Sequence, residues 1–226
     1  MRLAVYGFVA ALLAAPLAAQ AAQPPARFAV TLQATIVDRI SYEFLHSDEE
    51  CTARRTGTGG HELKLRSVVP TTIQISRRGA RTVFRPARIA AVRRSGTSLA
   101  ASWSEFRRCR FLPPERFSGK CEAKPLPVAR RPVALRRPSA NRIAFGRAAT
   151  GLATACGLDA RIQLAGWLNL APGTVNEDAL LNGRSLRVRA RGSANREVKG
   201  PPTGDPTLKT TERVVINWTL MFRRLS

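Results

Sequence analysis

Apolar and polar residues alternate through much of this chain. In "RFAVTLQATI", Phe28, Val30, Leu32, Ala34 and Ile36 share one face, with Arg27, Thr31, Gln33 and Thr35 opposite. "RISYEF" repeats the pattern through Ile40, Tyr42 and Phe44, and "VVINWTLMF" does so with Val214, Ile216, Trp218, Leu220 and Phe222. A period of two sends successive side chains to opposite sides of the backbone, so these segments read as half-buried strands. "TSLAASW" aligns Leu99, Ala101 and Trp103 in the same way. "LDARIQLAGWLNL" aligns Leu158, Ala160, Ile162, Leu164, Leu168 and Leu170. Weaker strands are expected over 61–69, 72–76, 82–92, 142–145 and 186–190. The first and last strands carry the strongest apolar faces and are expected to be neighbours.

One segment has helix punctuation. "PGTVNEDALLNG" offers Thr174 as N-cap, Glu177 three residues on to complete a capping box, and Gly183 as a stop. The helix expected near 174–183 is about two turns, too short to organise a domain. Many strands and one short helix predict an all-β fold, an antiparallel β-sandwich or open barrel.

Two stretches interrupt the alternation. "TGTGGHE" (56–62) lacks the Lys-Ser/Thr of a phosphate-binding loop, and Glu62 stands where a dinucleotide loop needs its third glycine. It therefore reads as a turn between strands. The proline-rich stretch 112–138 reads as an extended, polyproline-like surface loop, because proline cannot donate to a β-ladder. Its near-duplication "PVARRPVALRRP" would present Arg130, Arg131, Arg136 and Arg137 as a basic arm.

Residues 1–21 combine Arg2, an apolar run and a small-residue exit at Ala19-Gln20-Ala21, the pattern of a cleaved secretory signal peptide. On that reading residues 22–226 form a single exported β-rich domain, placed outside the cytoplasm and without a covalent anchor. Four cysteines in an oxidising compartment then read as two disulfides. Cys109–Cys121 and Cys51–Cys156 are the pairings expected. Their spacing has none of the close pairs a zinc site uses.

Charge sharpens the picture. Thirty-seven basic residues face 15 acidic ones, a formal net charge of +22. Codon bias in a GC-rich genome can favour arginine over lysine, but it does not create the excess. In "RSLRVRARG", Arg187, Arg189 and Arg191 fall on one face of a strand, about 7 Å apart. Guanidinium forks match phosphate and carboxylate geometry. Outside the cytoplasm the fitting partner is an anionic polymer such as teichoic acid or lipopolysaccharide. Sequence-specific nucleic-acid binding is not expected, since no helix-turn-helix or finger pattern is present.

Catalytic motifs are missing: "HELKL" is not H-E-x-x-H, no G-x-S-x-G elbow occurs, and only His46 and His61 could serve as imidazole bases. The acidic stretch "HSDEEC" lacks the interleaved spacing of a calcium loop. No catalytic residue, metal ligand or cofactor is named. The chain reads as a secreted cationic binding or adhesion module for anionic cell-envelope polymers. Two alternatives stand beside that reading. One is a structural or partner-protein-binding module whose charge is incidental, the other a secreted hydrolase of carbohydrate or peptide polymer.

Overall fold

The computed structural model describes residues 24–79, 81–136, 141–148, 151–155, 158–162, 164–199 and 209–226. The expected signal peptide lies outside them, as do Arg137 and Cys156.

β1 (Ala26–Ser47) and β2 (Cys51–Ser67) form a long hairpin, and β3 (Thr71–Arg78) and β4 (Arg81–Arg85) a short one. β5 (Arg88–Ser98), β6 (Ala101–Cys109), β7 (Glu115–Cys121), β8 (Ala129–Arg136) and β9 (Arg142–Ala148) follow. β10 (Gly151–Ala155) and β11 (Leu158–Ile162) make a separate two-stranded sheet. Then come α1 (Leu164–Leu168), the two-residue β12 (Gly173–Thr174), α2 (Glu177–Leu181), β13 (Leu186–Lys199) and β14 (Lys209–Arg224).

The fold is all-β. Twelve strands form one open antiparallel sheet along the path β12-β9-β8-β5-β2-β1-β14-β13, with β3 and β4 attached to β1, and β6 and β7 attached to β2. β1 pairs with β14 along nearly its whole length, from Phe28 opposite Arg224 to Glu43 opposite Lys209, as the two apolar faces implied. β12, at one end of the path, packs against β13 at the other, so the sheet curls round its own inner face.

That inner face is the core. Val30, Leu32, Ala34 and Ile36 on β1 stand opposite Phe222, Leu220, Trp218 and Ile216 on β14, all buried. Each large aliphatic side chain withdrawn from water in this way contributes about 1.5–3 kcal/mol. The short helices close the curl. Trp218 Nε1 donates to the carbonyls of Ala171 (2.8 Å) and Leu168 (3.2 Å), and its ring meets Phe145 edge-on with centroids 5.1 Å apart.

Several local expectations give way to tertiary packing. The glycines of 56–62 are not a turn: they lie inside β2, which runs unbroken through them. They mark the place where β2 exchanges one neighbour for another, pairing with β6 up to Thr58 and with β5 from His61. Gly60 adopts φ +145°, and a Cβ there would overlap the Asp38 carbonyl. Gly57 makes room for the Tyr42 ring. The proline-rich stretch 112–138 is not a polyproline-like arm either, since it contains β7 and β8. Val133 and Leu135 alternate into the core, and Pro132 falls within the register shift between β5 and β8, where the regular ladder is already broken.

α2 begins later than expected. Asn176, not Thr174, is the N-cap, its side-chain oxygen accepting from Ala179 N at 2.9 Å, while Thr174 belongs to β12. Glu177 does not reach back to its cap but accepts from Thr82 Oγ1 (2.6 Å) and Asn141 N (2.8 Å). Gly183 follows the helix at φ +71°, the stop that the sequence implied. "LDARIQLAGWLNL" divides into β11 and α1, with Trp167 and Leu168 buried side by side. A single strand face would have separated those two residues.

The disulfide pairing also differs from expectation. Cys51 is bonded to Cys109, its direct partner in the β2–β6 register. Cys121 sits opposite Ala101, at the far end of β6 from Cys109, about 26 Å away along the strand. Cys109–Cys121 is therefore geometrically excluded, and Cys51–Cys156 fails because Cys51 is already used. Cys121 is itself disulfide-bonded. A bridge closing 58 residues of sequence contributes about 4 kcal/mol on the loop-closure model. Non-reducing peptide mapping should join the Cys51 and Cys109 peptides; a Cys109–Cys121 peptide would contradict this register.

Candidate functional site

In an antiparallel sheet, residues directly opposite share a face, so the register shows which side chains stand together. On β13, Val188 is buried while Arg187, Arg189 and Arg191 are exposed on the outer face. Leu186 and Ala190 pack against the core on the inner side. The ridge read from "RSLRVRARG" thus exists, and its neighbours now have names. Arg189 stands opposite Thr219, Thr219 opposite Gln33, and Gln33 opposite Arg66. The row continues through Arg93 on β5 to Arg130 on β8. A parallel row runs Arg191, Asn217, Thr35, Lys64 and Ser95.

The first row crosses six strands, about 24 Å measured along the sheet. Basic side chains bound it on both sides, Arg187, Arg189 and Arg191 on β13 and Lys64, Arg66, Arg93 and Arg130 on β2, β5 and β8. Between them is a shallow depression of about 480 Å³, lined by Gln33, Thr35, Lys64, Arg66, Asn217 and Thr219 among others. Glu62 is the acid nearest the row, and its carboxylate meets Lys64 at 3.6 Å. Among the described residues, Arg66, Arg93, Arg130, Arg187, Arg189 and Arg191 have no ion-pair partner.

The arginines expected to form an arm are distributed differently. Arg130 joins the outer row, whereas Arg131 stands opposite the buried Val92 and so leaves it. Arg136 lies against Gly146 on β9. β8 and β13 are five strands apart along the path, so the ridge and Arg130 are two ends of one basic band. The middle of that band, Lys64, Arg66 and Arg93, was missed by sequence reading. Nothing in the linear sequence tells that these residues of β2 and β5 fall in register with Arg189.

A second polar group lies on the inner side. Asp38 on β1, His61 on β2 and Ser98 on β5 occupy one register row, and His61 Nδ1 meets Asp38 Oδ2 at 3.2 Å. Carboxylate, imidazole and hydroxyl in that order resemble the components of a hydrolase triad. Their surroundings argue otherwise. The residues are 0 %, 0 % and 5 % exposed, and the Ser98 hydroxyl is engaged by the Lys124 backbone (N at 2.9 Å, O at 3.4 Å). A buried hydroxyl tied to the main chain has no path to a polymeric substrate, so the row is a polar layer at the end of the apolar core.

Burial pushes the Asp38 carboxyl above its ordinary value of 3.8; the His61 hydrogen bond opposes this, and the Glu212 carboxylate adds to it. Glu212 is also hydrogen-bonded to Asp38. Just above pH 3.8 the folded chain therefore binds more proton at Asp38 than the unfolded chain does. The stability carried by protonated Asp38 is lost as pH rises from about 3.8 towards the raised folded value. In Asp38→Asn that loss disappears, and the difference in urea midpoint between wild type and variant should change with pH above 3.8. Parallel midpoint curves would contradict the assignment.

At the β1–β2 turn, Asp48 Oδ1 accepts from Cys51 N (2.6 Å) and Glu50 N (2.9 Å), and those donors hold its carboxyl below the ordinary range. Asp48 serves its own turn. At the β6–β7 turn, Phe111 and Leu112 are 85 % and 63 % exposed, and Arg110 lies over the Phe111 ring. No helix among the described residues is long and apolar enough to cross a membrane. No family model matches the chain, and neither a curated protein nor a solved structure matches it.

Proposed function

We propose that this chain is an exported, disulfide-stabilised β-protein whose basic outer face binds an anionic cell-envelope polymer such as teichoic acid or lipopolysaccharide. The observation that carries the reading is the row from Arg189 to Arg130, with basic residues at both ends and no acid of its own to neutralise them. A surface of one sign raises the local concentration of counter-ions and steers charged ligands towards itself. Gln33, Thr35, Asn217 and Thr219 line the depression and supply hydrogen-bonding groups between the cationic walls. The basic side chains lie on neighbouring strands and at alternate positions along β13, so the face suits a repeating polyanion better than a single small ion.

Arginine footprinting tests this reading. Long-chain polyphosphate should protect Arg66, Arg93, Arg187, Arg189 and Arg191 from phenylglyoxal. Arg116, on β7 and stacked over Phe106, should react at the same rate with and without the polymer. Uniform protection of every arginine would mean a diffuse ion atmosphere and no defined face.

A specific observation favours the alternative of a partner-protein module. Phe111 and Leu112 project from the β6–β7 turn next to Arg110 and two prolines. An exposed apolar tip of this kind suits a protein contact. If footprinting leaves the outer face unprotected, this tip becomes the surface to pursue.

A further inference from the structure

The outer face holds a second depression, farther along β1 and β14. Arg39 lies six positions beyond Gln33, about 20 Å along the strand. The cavity is about 660 Å³, within the size range of small-molecule sites. Arg39 and Arg213 line it and stand directly opposite one another in the β1–β14 register. Both are exposed, and like charges in directly opposed positions destabilise a sheet.

Their surroundings do not relieve that repulsion. Opposite Arg39 on β2 is Gly60, which has no side chain; opposite Arg213 on β13 is Asn195, which is neutral. Among the described residues neither arginine has an ion-pair partner. The nearby acids are directed elsewhere. Glu62 meets Lys64, Glu43 meets Arg54, and Glu197 on β13 makes no ion pair with Arg213. Glu212 lines the cavity, but it is buried and alternates to the inner face, where it hydrogen-bonds with Asp38.

The rest of the lining is part hydroxyl and part apolar. Ser41, Thr58 and Thr211 bring three exposed hydroxyls: Ser41 Oγ and Thr211 Oγ1 are 2.9 Å apart, Thr211 Oγ1 also donates to the Ser41 carbonyl at 3.4 Å, and Thr58 Oγ1 lies 3.4 Å from Ser102 Oγ. Leu99 and Ala100, from the β5–β6 connection, form a wall held by the Leu99 N–H on the Gly60 carbonyl at 2.8 Å.

We propose that this cavity is a discrete site for one tetrahedral oxyanion group, a phosphate or sulfate, clamped between the Arg39 and Arg213 guanidiniums, with the exposed hydroxyls of Ser41, Thr58 and Thr211 rotating out of their present hydrogen bonds to donate to it. The anion neutralises two opposed charges at once, and each guanidinium can present a two-donor fork to it. The inference deepens the polymer reading, because such a group could belong to the same chain that lies on the Arg189 row. A free phosphate ion has the same chemistry, so the test distinguishes the two sources.

The experiment titrates inorganic phosphate, and separately long-chain polyphosphate, into the oxidised protein while following the arginine Nε–Hε resonances. Three proteins are compared: wild type, Arg39→Gln/Arg213→Gln, and Arg187→Gln/Arg189→Gln/Arg191→Gln. Inorganic phosphate should shift the Arg39 and Arg213 signals saturably in wild type and in the triple variant. In the double variant its binding should weaken at least tenfold. Linear, non-saturating shifts spread over all arginines, or unchanged binding in the double variant, would overturn the site. If inorganic phosphate saturates Arg39 and Arg213 but polyphosphate binds no more tightly and ignores the triple variant, the oxyanion site stands and the polymer reading falls.

Discussion

Replacing Gly60 with alanine should destabilise the fold by roughly 3–5 kcal/mol, more than the same change at either other glycine of "TGTGGHE". Two costs combine. The backbone at φ +145° is strained for any residue with a side chain, and the new methyl group would overlap the Asp38 carbonyl in the neighbouring strand. Neither β1 nor β2 can step aside, since this is the point where β2 passes from β6 to β5 while staying in register with β1.

The neighbouring glycines supply a graded comparison. At Gly57 the obstacle is the buried Tyr42 ring, so alanine should cost about 1–3 kcal/mol through overpacking. Gly59 meets only the Ala101 methyl at 3.6 Å, an ordinary contact, and alanine there should cost less than about 1 kcal/mol. Gly79 isolates the backbone cost, because it has φ +57° with nothing within 4 Å; about 1–2 kcal/mol is expected. Urea midpoints at constant m-value would rank the four variants. A Gly60 variant no less stable than the Gly59 variant would show that β2 does not pass through these residues as an unbroken strand.

The second large effect concerns binding. Changing Arg187, Arg189 and Arg191 together to glutamine should weaken polyanion binding about a hundredfold near 0.1 M salt. It should also reduce the slope of log K against log salt by about 2–3, one unit or slightly less per phosphate contact removed. All three side chains are exposed and lack ion-pair partners among the described residues, so stability should change by less than about 0.5 kcal/mol. Loss of affinity with an unchanged slope would point to a folding or shape effect and remove the β13 ridge from the site.

How much of this was legible before the structure depends on the range of the interaction involved. Strand β1 could be read from Phe28 to Phe44 because alternation is local, and its pairing with β14 followed from two matching apolar faces. The Arg187–Arg191 ridge was legible for the same reason. The glycines were misread because their role lies in another strand: Gly57 and Gly60 answer to Tyr42 and to the Asp38 carbonyl, which no local rule brings near them. Prolines misled in a similar way. Pro132 suggested an extended arm, but Val133 and Leu135 bury enough apolar surface to place the segment in the sheet, with the proline at a register shift.

Register explains the remaining differences. Cys51 and Cys109 are joined because β2 and β6 align them, whereas closeness in sequence favoured Cys109 and Cys121. Arg66 and Arg93 look unremarkable in "LKLRS" and "AVRRS", yet they complete the row that begins at Arg189. The opposition of Arg39 and Arg213 likewise joins residues 174 positions apart in the chain.

One measurement bears most directly on the central claim: binding of the oxidised wild-type protein to a phosphate-rich polymer such as teichoic acid, followed from 50 to 200 mM salt. Log K should fall linearly with log salt, with a slope of magnitude about 4 or more, reflecting release of counter-ions by several basic side chains of the outer face. Absence of binding at 50 mM salt, or binding that salt leaves unchanged, would contradict the account and make the net charge of +22 incidental to function.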